Sequence, residues 1–68
     1  MTKNEIKKMI KARIETDGDR IVDWDFDECM EEIVVRVIIV TTYHSVYRGV
    51  FFLFNDGVVD SFEINYLS

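Results

Sequence analysis

Apolar residues recur at helical spacing only near the start of the chain. Ile6, Met9, Ile10 and Ile14 stand at i, i+3, i+4 and i+8 and make one stripe, while Lys3, Lys7, Lys8 and Lys11 lie mostly off it. In front of the stripe, Thr2-Lys3-Asn4-Glu5 has the form of a capping box, in which the Thr hydroxyl and the Glu carboxylate satisfy amides that a first helical turn leaves unpaired. The spacing predicts a helix that begins at once. It should end at Asp17-Gly18, since glycine accepts the left-handed conformation of a C-terminal cap.

From Val22 the period changes to two. Val22, Trp24 and Phe26 alternate with Asp23, Asp25 and Asp27, which in an extended strand places apolar side chains on one face and carboxylates on the other. Residues 28–32 read as a connection. Phe26, Met30, Ile33, Val34 and Val37 also fit a helical stripe, but the β-branched run from Ile33 to Thr42 favours a strand, where branched side chains pack well. Val50 to Phe54 is a further buried strand starting near Val46, Asn55-Asp56-Gly57 is a hairpin turn, and Val58 to Leu67 returns. No Gly, Pro or Asn marks the turn near His44-Ser45. Asp60 shares the parity of Val58, Phe62, Ile64 and Tyr66, and a bulge that resets the register after it would keep its carboxylate out of the core. The fold class that follows is α+β: one domain over residues 1–68, with an N-terminal amphipathic helix packed on a three- to four-stranded antiparallel meander sheet.

The central strands carry a second signal. Ile33, Val35, Val37 and Ile39 form one face of their strand, yet Val34, Ile38 and Val40 make the other apolar too, and Phe51 and Leu53 oppose Val50, Phe52 and Phe54. One helix covers one face of a sheet, so the other needs cover from strand curvature, a partner protein or a second copy. A homodimer or higher oligomer is expected.

Composition narrows the function classes. The 68 residues carry a net charge of −5 and are 49% hydrophobic, too apolar for a disordered acidic tail. An acidic domain gains nothing by approaching bare nucleic acid, so direct nucleic-acid binding is not expected. The uncharged run Val37 to Tyr47 is too short and too rich in Thr and Ser to span a bilayer, and Lys7, Lys8 and Lys11 break up any apolar signal core, so a cytoplasmic protein away from membranes is expected. Cys29 is the only cysteine and His44 the only histidine, which excludes an internal disulfide and a zinc site built from thiols and imidazoles. No cofactor is implied.

The most distinctive feature is acidic. Asp17, Asp19, Asp23, Asp25, Asp27, Glu28, Glu31 and Glu32 surround a single Arg20. Their spacing approaches an EF-hand calcium loop, but counted from Asp23 the required Gly at the sixth position is Glu28 and the bidentate Glu at the twelfth is Val34. As a row along a strand, the carboxylates would repeat every ~6.6 Å, a spacing that could imitate a nucleic-acid backbone. Small phage-encoded inhibitors often use such a row, and this chain resembles them in size and acidity, with no shared motif. The bland alternative is a solvated edge strand whose charges discourage edge-to-edge pairing. Paired carboxylates acting as acid and base need a cleft that separates their environments, which a domain of this length scarcely offers.

The remaining candidates are weaker. Adjacent His44 and Ser45 read as turn residues, and Cys29, among acids that disfavour its thiolate, as a small buried or half-buried residue rather than a nucleophile. Tyr43, Tyr47, Phe51, Phe52, Phe54, Phe62 and Tyr66 lack the basic surround of a base-stacking platform and read as core or interface. The sequence therefore points to a non-enzymatic module, an inhibitor or regulator that binds a protein partner through Asp19, Asp23, Asp25, Asp27, Glu28, Glu31 and Glu32. The competing classes are a homo-oligomer that sequesters a small ligand between subunits and a structural subunit.

Overall fold

The computed structural model describes residues 2–15 and 18–68, which run as α1 (Lys3–Ile14), β1 (Arg20–Glu28), β2 (Glu32–Val40), β3 (Val46–Phe54) and β4 (Val59–Tyr66). Asp17, read above as part of the helix end and the acidic cluster, lies outside the described residues. The capping box forms in full: the Thr2 amide donates to Glu5 Oε1 at 3.0 Å and the Glu5 amide to Thr2 Oγ1 at 3.2 Å. This draws the Glu5 carboxyl below its ordinary pKa, chiefly because the Thr2 backbone N–H favours the charged form. The helix closes at Glu15, whose carboxylate accepts the Ile21 amide at 3.0 Å and so ties the end of α1 to the start of β1.

The four strands form one antiparallel sheet in the order β1-β2-β3-β4, the expected α+β meander. Its second and third hairpin turns have the same construction. In the β3–β4 turn, Gly57 donates to the Phe54 carbonyl and Phe54 to the Val58 carbonyl, with Gly57 at φ 89°. In the β2–β3 turn, His44 donates to the Thr41 carbonyl and Thr41 to the Ser45 carbonyl, with His44 at φ 64°. Each is a three-residue hairpin loop whose last residue adopts the left-handed conformation, where glycine is the usual occupant. His44 fills that place without glycine's freedom. The amides of Tyr43 and Ser45 both donate to the Thr41 hydroxyl, which holds the loop from inside.

Register places the side chains in rows across the sheet. On the face beneath α1, the rows are Phe26-Val35-Phe51-Phe62, Trp24-Val37-Gly49-Ile64 and Ile21-Ile39-Tyr47-Tyr66. Ile6 and Ile10 of the helix stripe are buried against Ile33, Val35, Val37, Ile39, Phe51 and Leu53, while Met9 and Ile14 are half-buried at the margin. Gly49 has no side chain for a steric reason: a Cβ there would sit 3.0 Å from Val37 Cγ2 and 3.3 Å from Phe51 Cε1.

Two bulges set the faces. Between β3 and β4, Phe52 pairs with Ser61 and Leu53 with Val59, so Asp60 is the extra residue, as its parity required. Between β1 and β2, Ile21 pairs with Ile39 and Asp23 with Ile38, which makes Val22 the extra residue. That corrects the simple alternation: Ile21 joins Trp24 and Phe26 on the core face, and Val22 is 55% exposed. Cys29 is also corrected, since the tight turn joining β1 to β2 leaves it exposed.

Candidate functional site

The seven carboxylates singled out in the sequence do not form one patch. Asp23, Asp25 and Asp27 pair with Ile38, Arg36 and Val34, and lie on the sheet face away from α1. Glu32, opposite Phe54, shares that face. Glu28 pairs with Ile33 and therefore belongs to the helix side, Glu31 is in the turn, and Asp19 lines a hollow on the helix side with Arg13, Ile14 and Tyr47. Strand parity is the reason: Glu28 is an odd number of residues from Asp27 and crosses to the other face. The predicted site thus reduces to Asp23, Asp25, Asp27 and Glu32.

Each carboxylate in the row of three already has a partner. Asp23 Oδ1 accepts the Trp24 amide at 3.0 Å beside the bulge. Asp25 Oδ2 takes Arg36 Nη1 at 2.9 Å, and Arg36 Nη2 stands 4.0 Å from Asp27 Oδ2. The extended backbone sends these groups out side by side along an edge, a poor arrangement for wrapping an ion, and no cluster of His, Cys, Asp and Glu suited to a metal ion occurs among the described residues.

The rest of this outer face is apolar at its centre. Across the sheet its rows read Asp27-Val34-Phe52-Ser61, Asp25-Arg36-Val50-Glu63 and Asp23-Ile38-Arg48-Asn65. Val34, Ile38, Val40, Val50 and Phe52 are half-buried, and no helix or further strand among the described residues packs over them. Arg36 and Arg48 are the two interruptions. The face is therefore a greasy strip on the two central strands, rimmed by aspartates along β1 and by Ser61, Glu63 and Asn65 along β4.

The helix side is unevenly covered. The helix approaches β1 most closely of the strands, and Lys3 Nζ lies 5.7 Å from the centre of the Phe26 ring and Lys7 Nζ 5.6 Å from that of Trp24. These lysines, which lie mostly off the apolar stripe of the helix, act as lids over the β1 aromatics. Spacing hid this, because cation–π contact depends on which strand lies beneath the helix. At the opposite margin, β4 is bare: Phe62, Ile64 and Tyr66 are 52%, 48% and 65% exposed. Two adjoining hollows of about 390 and 360 Å³ run between Ile14 and Ile64, floored by Tyr47 and Ile39 in one and by Phe51 and Phe62 in the other.

The fold defines the class, a helix laid on a four-stranded antiparallel meander sheet. Comparison with family models, with curated protein sequences and with solved structures finds no match to this chain. No helix among the described residues is long and apolar enough to cross a membrane.

Proposed function

We propose that this chain is a non-enzymatic cytosolic interaction module, an inhibitor or regulator that docks the outer face of its sheet on a protein partner. The observation that carries the reading is the bare apolar strip Val34, Ile38, Val50 and Phe52 with its rim of aspartates, on a face that nothing in the described chain covers. Desolvating such a strip supplies affinity, and the charged rim supplies orientation and on-rate. The partner surface that fits is an apolar patch flanked by basic groups. A nucleic-acid-like row is the less supported form of this reading, because Arg36 sits among the carboxylates and breaks the run of negative charge.

The test is affinity capture from the native host, followed by binding measurements on the captured protein. Phe52→Glu, and separately Asp23→Lys with Asp25→Lys and Asp27→Lys, should each abolish capture while circular dichroism shows the sheet intact. Wild-type binding should weaken as salt is raised, through the on-rate first. Unchanged affinity in both variants would remove the outer face from the interaction.

A further inference from the structure

The two edges of the sheet are built differently. On β1, pairing with another strand is discouraged by the bulge at Val22, by Asp23, Asp25, Asp27 and Glu28, and by the lysines of α1 over its aromatics. On β4 the bulge lies at Asp60, near the start, and from Ser61 to Tyr66 the strand runs regularly with Glu63 its only charge. Its helix-side face, Phe62, Ile64 and Tyr66, is half-exposed, and α1 lies away toward β1.

Hydrogen bonding identifies which groups of β4 are open. Phe54 donates to the Val58 carbonyl at one end of the hairpin and Leu67 to the Val46 carbonyl at the other. Bonded pairs alternate along an antiparallel ladder, so Arg48, Val50 and Phe52 bond to Asn65, Glu63 and Ser61. The amides and carbonyls of Phe62, Ile64 and Tyr66 therefore face the free edge.

We infer that β4 pairs antiparallel with β4 of a second copy about a two-fold axis at Ile64, which joins two four-stranded sheets into one of eight strands. The open groups select this register, because only an axis at Ile64 brings Phe62, Ile64 and Tyr66 all into bonded pairs, and charge agrees with it. With Ile64 opposite Ile64, Phe62 meets Tyr66 and Glu63 meets Asn65, and no like charges face each other. A shift that centred the axis on Glu63 would oppose two carboxylates, which is destabilising. The chosen register forms about six backbone hydrogen bonds from three bonded pairs. It also extends the ring contacts already present in each copy, Phe51 with Phe62 at 5.7 Å and Tyr47 with Tyr66 at 5.4 Å, into one aromatic band across the axis. This surface is separate from the outer face, so either proposal can fail alone.

Sedimentation at about 100 µM, where a strand-edge dimer of micromolar affinity is nearly saturated, should give twice the chain mass of 8.1 kDa. Ile64→Lys, which sets two ammonium groups on the axis, should give a monomer with an unchanged circular dichroism spectrum. In a Cys29→Ser background, Ile64→Cys should form an intermolecular disulfide under mild oxidation, since bonded pairs place Cα atoms about 5.5 Å apart. Glu63→Cys should crosslink at least tenfold more slowly. A wild-type monomer overturns the proposal, as does a dimer that Ile64→Cys fails to trap while the variant stays folded. Faster trapping through Glu63→Cys overturns the register.

Discussion

His44 and Gly57 occupy equivalent places in two hairpin loops of the same design, and only one of them is a glycine. A side chain in the left-handed region costs roughly 1–2 kcal/mol, partly offset because glycine is more flexible in the unfolded chain. His44→Gly is therefore expected to gain up to about 1 kcal/mol in urea melts, and Gly57→Val to lose more than that. Gly18 adds a second constraint. It has φ 87°, and a Cβ there would come within 2.6 Å of Thr42 Cγ2, so the backbone after α1 is pressed against the β2–β3 turn. Gly18→Ala should destabilise by at least about 1 kcal/mol, more than a helix cap free to fray would lose. Gly57 was legible because glycine announces a positive φ; His44 gives no such signal, since its conformation is imposed by the turn it closes.

At the scale of elements, the helix is the most local structure and its start the most predictable. Thr2→Ala should cost about 1 kcal/mol and lower helix content at the N-terminus. The Glu5 carboxyl, held below its ordinary pKa by Thr2, contributes stability above its unfolded pKa and loses it as pH falls through the lowered value. Thermal melts of Glu5→Gln against wild type should accordingly differ most near neutral pH and converge in acid. Strand β1 tests the bulge. Ile21→Ser should be clearly destabilising, because Ile21 packs on the core, whereas Val22→Ser should stay within about 0.5 kcal/mol. Uniform alternation would give the opposite order, and chemical denaturation distinguishes the two.

For the whole molecule, the core is one layer of side chains between one helix and the middle of the sheet. Phe51 is 2% exposed and Phe62, stacked on it, is 52% exposed. Phe51→Ala should cost about 3–5 kcal/mol, enough to unfold a domain of this size, while Phe62→Ala should cost far less in the monomer and act on self-association instead. A denaturation series at several protein concentrations separates these effects.

The sequence by itself determined the element order, the helix stripe, the capping box, the Gly57 turn, the Asp60 bulge and the presence of two apolar faces on the central strands. All of these are local or follow from a period of two or 3.6, and a chain carries its periodicity wherever it is placed. Tertiary structure decided which carboxylates keep company. The Val22 bulge moved Ile21 onto the core face, parity sent Glu28 to the helix side, and Arg36, from the neighbouring strand, reached Asp25 and Asp27. It also decided that Lys3 and Lys7 cover the aromatics of β1 and that β4 is left open. Each of these depends on what lies across a strand or beneath a helix, a pairing fixed by register and packing that no spacing within one segment encodes.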